Sequence, residues 1–114
     1  MSSLSTHVLD TMHGCPAEGV AVRLVAGAAL LWQGRTNADG RCSDLPALTP
    51  GRYRLEFGIA DYYRGRGVDL PDPPFLDHVG LDFGIAVTEG AEPGSHYHVP
   101  LLVSPYAYST YRGS

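Results

Sequence analysis

The chain contains no lysine: all eight cations are arginines, set against twelve acidic residues for a net charge of −4. No basic stripe forms, so the electrostatic footprint of a nucleic-acid binder is missing. No apolar stretch approaches the roughly 20 residues of a membrane span. The opening MSSLSTHVLD has neither the cationic start nor the apolar centre of a signal peptide. Two cysteines, Cys15 and Cys42, are too few for a disulfide framework. Both sit beside turn signals and read as free thiols in a reducing compartment, so a cytoplasmic protein with no membrane partner is expected.

Missing chemistry narrows the field further. There is no G-x-S-x-G elbow, and the serines near the histidines lie in strand or tail contexts. Ser114, the last residue, is a poor place to hold a strained nucleophile. Neither cysteine follows a helix start that would lower its pKa. If the protein is a hydrolase, its nucleophile is water.

What is present is strand-like. Fourteen glycines and nine prolines in 114 residues suit short strands joined by tight turns. In HVGLDFGIAV, Val79, Leu81, Phe83, Ile85 and Val87 alternate with small or polar residues, which gives one apolar face. GRYRLEF sets Tyr53, Leu55 and Phe57 against Arg52, Arg54 and Glu56, and Val20, Val22 and Leu24 form a third set. LSTHVLD and AALLWQGRT are shorter candidates. Turn signals separate them: Gly14-Cys15-Pro16, Asn37-Ala38-Asp39-Gly40 and Thr49-Pro50-Gly51. IADYYRGRG breaks the pattern, reading as about two helical turns that glycine ends and DLPDPP cannot continue. The expectation is an all-β, two-sheet antiparallel sandwich of seven or eight strands with one short helix near Ile59–Gly65. No repeat or linker divides residues 1–114, which read as a single domain.

The histidines carry three readings. His96 and His98 are two apart in a strand and project from one face, and His7 lies in another strand. They are half-buried residues satisfied by backbone or water, or an acid–base pair, or with a third histidine an open zinc site. No acid is placed to orient the imidazoles from behind. Arg41, just after the NADG turn, is either a solvated strand-end arginine or a guanidinium aimed at a developing oxyanion. The tyrosine-rich end, with Tyr106, Tyr108 and Tyr111, also suits a subunit interface.

LSTHVLD, GCPAEGV, NADGR and HYHVPLLVSPYAYSTYRGS together resemble the 5-hydroxyisourate hydrolases, transthyretin-like proteins of purine degradation, over essentially the whole chain. Hormone-carrying transthyretins share several of these segments. They lack counterparts of His7, Arg41, His98 and the closing Tyr111-Arg112-Gly113-Ser114, so the resemblance sides with the enzyme. It implies a transthyretin-like sandwich, no cofactor and no metal, and a small-molecule substrate, 5-hydroxyisourate. Water would open the ring to a carboxylated ureido-imidazoline. The resemblance makes His7, Arg41 and His98 catalytic: His7 and His98 activate the water, and Arg41 stabilises the oxyanion. Substrate would be bound by His7, Arg41, Tyr111 and Ser114, with Arg112 and Gly113 setting the path of the tail. It also implies a homotetramer, a dimer of dimers with sites in the grooves where dimers meet. The alternative is a carrier of a small aromatic ligand that binds without turnover.

Overall fold

In the computed structural model, which describes residues 1–87 and 95–113, the alternating segments become eight strands and one helix. The strands are β1 (Ser3–Asp10), β2 (Cys15–Pro16), β3 (Ala21–Ala26), β4 (Ala29–Arg35), β5 (Gly51–Gly58), β6 (His78–Ile85), β7 (His96–Val103) and β8 (Tyr108–Thr110). Helix α1 (Ile59–Gly65) follows β5. Two four-stranded sheets form, in the orders β2-β1-β7-β8 and β4-β3-β5-β6. The sandwich and the short helix at Ile59–Gly65 are as expected.

One pairing departs from the antiparallel expectation. β1 and β7 run parallel, in register from Ser3 opposite His96 to Asp10 opposite Val103. Parallel neighbours need a long crossover. Here the chain between them runs through β2, the whole second sheet and the helix, so no hairpin constrains the direction.

Strand alternation supplies the core. On β1, Leu4, Thr6, Val8 and Asp10 are buried while Ser3, Ser5, His7 and Leu9 face outward. Across the second sheet Val22 stands opposite Phe57, Leu24 opposite Leu55, and Leu55 in turn opposite Leu81. These side chains meet Val8, Val99, Leu101 and Val103 of the first sheet in one cluster. Each large apolar side chain fully buried this way contributes about 1.5–3 kcal/mol. Phe83 is only half-buried, stacked on Tyr53 with ring centroids 5.9 Å apart. Val87 lies beyond the end of β6 and is 76% exposed, so the alternation read through to it stops at Ile85.

Seven residues make a marginal helix, and α1 depends on what it buries. Ile59, Ala60, Tyr62 and Tyr63 face inward, Asp61 and Arg64 suit the helix dipole at the two ends, and Gly67 leaves with φ +81°. The tyrosines tie the helix to β1. Tyr62 and Tyr63 donate hydroxyl hydrogen bonds of 2.8 and 2.9 Å to the buried Asp10 carboxylate, which also accepts from the backbone N–H groups of Met12 and His13. Burial alone would raise the Asp10 pKa, but hydrogen bonds from His13 and the tyrosines hold it below the usual carboxylate range. Burial and Asp10 together push Tyr62 up to about 12 and Tyr63 higher still, so both stay donors. Among the described residues no helix is long and apolar enough to cross a membrane.

Candidate active site

The parallel β1–β7 register decides which polar side chains meet. Side chains directly opposite each other share a face, so Ser3 pairs with His96 and Ser5 with His98, and His7 lies two residues further along. All five belong to the outward set of their strands. His7 and His98 are half-buried and His96 is exposed.

Two further segments flank these strands and complete the face. Arg41 bridges to His7 as an isolated antiparallel partner, and the Val8 N–H donates to the Gly40 carbonyl at 2.8 Å. The NADG turn holds it there: Asn37 Oδ1 accepts from the backbone N–H groups of Asp39 and Arg41. Gly40 has φ +75°, and a Cβ at that position would be driven into the Val8 carbonyl and Pro16. At the opposite flank Gly113 bridges to His98, its N–H donating to the His98 carbonyl at 2.9 Å. Four pieces of chain thus lie side by side, carrying Arg41, His7, His98 and the tail in that order.

The imidazole of His98 is held by Ser5, whose Oγ lies 2.7 Å from His98 Nδ1 and 2.8 Å from His96 Nε2. His96 Nδ1 in turn meets Ser3 Oγ. Burial lowers the His98 pKa below 6.5, and the charges of Arg41, His7 and His96 lower it further against a hydrogen bond with Ser5. When Nδ1–H donates to Ser5, the neutral imidazole presents Nε2, with its lone pair, to a water molecule. Arg41 is exposed and offers fixed positive charge beside His7. Among the described residues no group of three or more His, Cys, Asp or Glu side chains is arranged to hold a metal ion.

Sequence reasoning looked for an acid behind the histidines and missed Ser5 and Ser3. The signal was present, since Ser3, Ser5 and His7 alternate along LSTHVLD. Only the register shows that they match His96 and His98 one for one. The tail residues divide. The Arg112 guanidinium lies 4.0 Å from the centroid of the Tyr97 ring, and its Nη2 donates to the His96 carbonyl at 3.4 Å. Tyr111 is 60% exposed and borders a cavity of about 240 Å³ with Leu81, Phe83, Tyr97 and Val99, apart from His7, Arg41 and His98. Ser114 lies outside the described residues. Cys42 is buried, its thiol pushed up to about 11 by burial and by Asp44, and Cys15 is partly exposed.

The HIUase/Transthyretin family model matches residues 4–113. A 5-hydroxyisourate hydrolase of Pseudomonas aeruginosa is 54% identical, the match covering 100% of this chain and 93% of that protein. Among solved structures, the 5-hydroxyisourate hydrolase of Klebsiella pneumoniae superposes with a TM-score of 0.83 at 36% identity, covering 100% of both chains. An (S)-allantoin synthase superposes with a TM-score of 0.86 at 42% identity, covering 99% of this chain and 44% of that one.

Proposed function

The chain belongs to the HIUase/Transthyretin family, at 54% identity to one of its 5-hydroxyisourate hydrolases, and on that premise we propose that this enzyme hydrolyses 5-hydroxyisourate in urate degradation. Water activated between His7 and His98 attacks a ring carbonyl, and Arg41 stabilises the oxyanion that forms. The ring C–N bond then breaks, the leaving nitrogen takes the proton given up by the water, and the product is 2-oxo-4-hydroxy-4-carboxy-5-ureidoimidazoline. The observation that carries this reading is the gathering of His7, Arg41 and His98 on one sheet face by pairing alone.

The chemistry asks little more of the protein. A positioned acid–base group contributes about 100- to 10,000-fold, and an oxyanion partner on the order of another 100-fold or more. His98, lowered below 6.5, is a free base at neutral pH. No covalent nucleophile is needed.

The histidine face is open, with Arg41 and His96 exposed, so enclosing the substrate calls for a second surface. In this proposal that surface is another copy of the chain, in a dimer of dimers with the sites in the grooves between dimers. Tyr111 and Ser114 bind substrate oxygens from the tail. The whole activity resides in one domain, residues 1–114, and operates in the cytoplasm, where Cys15 and Cys42 stay reduced.

The test is direct. Generate 5-hydroxyisourate with urate oxidase and follow its ultraviolet decay with and without the purified protein. Faster decay, lost in His7→Ala, His98→Ala and Arg41→Ala proteins that remain folded, is the expected result. Saturable binding of an aromatic ligand with no change in decay would replace the enzyme by a carrier. Light scattering should give four copies per particle; a fully active monomer would overturn the assembly.

A further inference from the structure

We propose that Ser5 is a positioning residue for His98 and the central link of a proton relay, Ser3–His96–Ser5–His98, that runs from the reacting atom of His98 to solvent. The inference rests on the hydrolase reading above and extends it to residues that reading does not use. Its basis is geometric. Hydroxyls and imidazoles alternate along the outer sheet face, joined from His98 Nδ1 to Ser5 Oγ, from Ser5 Oγ to His96 Nε2, and from His96 Nδ1 to Ser3 Oγ.

A serine hydroxyl has one hydrogen and can donate in one direction only. Ser5 therefore cannot donate to both imidazoles, and the whole chain takes one of two polarities. In the first, His98 Nδ1–H donates to Ser5, Ser5 donates to His96 Nε2, and His96 Nδ1–H donates to Ser3. The exposed Ser3 hydroxyl then donates outward, with the Ser95 carbonyl 3.4 Å away as one acceptor. His98 Nε2 holds a lone pair in this state and is a base. In the second polarity every donor is reversed, and His98 Nε2 carries a hydrogen and is an acid.

The two states interconvert with atoms and charge balanced. A proton taken from water at His98 Nε2 releases the Nδ1 proton to Ser5, whose own proton passes to His96 Nε2. The His96 Nδ1 proton passes to Ser3, and the Ser3 proton leaves to solvent. All four members end neutral. Run backward, the relay delivers a proton at Nε2 to the leaving ring nitrogen. A route that discharges His98 is useful at this position, because Arg41, His7 and His96 all oppose a cation there. It also explains a serine where an orienting carboxylate was sought: a carboxylate would hold the charge on His98, whereas a hydroxyl passes it on.

The experiment compares wild type with Ser5→Ala, Ser5→Thr and His96→Gln. Ser5→Ala should lower kcat about tenfold with KM little changed, the loss of one orienting hydrogen bond on the base. Ser5→Thr, which keeps the hydroxyl on a strand-compatible side chain, should restore most of it. In mixtures of light and heavy water, wild-type kcat should show a curved dependence on deuterium content, from several protons moving together. His96→Gln and Ser5→Ala should make that dependence linear. A Ser5→Ala protein with wild-type kcat, or a curve unchanged by both variants, overturns the relay. Nitrogen-15 spectra of the histidine rings need no turnover. A wild-type His98 with Nδ1 not hydrogen-bonded, or unaltered by Ser5→Ala, overturns it as well, whereas failure of wild type to speed 5-hydroxyisourate decay counts against the hydrolase reading alone.

Discussion

Gly113 lies against the ring of His98 so closely that a Cβ at position 113 would collide with imidazole Cδ2 and crowd Cγ and Cβ. The glycine of the closing Tyr-Arg-Gly-Ser is thus explained by contact with the proposed base, more than by any need of the chain to bend. Gly113→Ala should displace the imidazole from Ser5 and remove most activity. The residue lies at the edge of the sheet, outside the core cluster, so the melting temperature should change little. Wild-type turnover in Gly113→Ala would contradict the placement of His98.

Arg41 sets a pH dependence with a definite sign. Burial, Arg41, His7 and His96 lower the His98 pKa from 6.5, so its neutral form persists to lower pH than in a free histidine. The acid limb of kcat/KM should therefore inflect below 6.5. Removing the guanidinium in Arg41→Gln takes away one of those influences, so the inflection should move upward toward 6.5 while the plateau drops. Its measurement is the pH–rate profile, backed by an NMR titration of His98. A downward or absent shift would separate Arg41 from the base electrostatically.

Asp10 should be the most sensitive polar position in the scaffold. Its carboxylate, with no side-chain exposure, accepts from Tyr62, Tyr63 and the turn at His13. Asp10→Ala leaves two buried hydroxyls without that acceptor and should cost about 3–5 kcal/mol, measurable by urea denaturation. Because the folded pKa is lowered, this contribution is present above the unfolded value near 3.8 and is lost as pH falls through the folded value. The difference between wild type and Asp10→Ala should shrink in acid accordingly. A cost under 1 kcal/mol at pH 7 would show that the helix is held by packing alone.

The strands and the helix were legible because period and punctuation suffice for them. Val20, Val22, Leu24, Leu55 and Phe57 announce a buried face, and Ile59–Gly65 ends where glycine stops it. Phe83 shows the limit, since alternation gives the face of a residue but not how far the opposite sheet covers it. The site divides in the same way. His7, Arg41 and His98 could be named from the sequence through resemblance, but Ser5 could not, because its role depends on pairing with His98 across a parallel register between strands separated by most of the chain. Gly113 was legible only as setting the path of the tail until His98 lay beside it.

Arg112 tests whether the tail must be clamped for the site to work. Its guanidinium stacks 4.0 Å from the Tyr97 ring centroid while the next residue bonds to the His98 carbonyl. Tyr97 and His98 are neighbours on opposite faces of β7, so the clamp grips the inner side of the strand whose outer side carries the base. A cation–π contact at such a site is worth about 0.5–2 kcal/mol. Arg112→Ala should therefore loosen residues 111–113, lowering kcat/KM several-fold with little change in melting temperature. Arg112→Lys keeps a cation over the ring and should lose less. Tyr97→Phe keeps the ring face, though not the hydroxyl that accepts from the Ala86 N–H at 3.2 Å, and should leave catalysis nearly intact. If Tyr97→Phe is as damaging as Arg112→Ala, the hydroxyl matters more than the ring, and the clamp is the wrong account of how the tail is held beside His98.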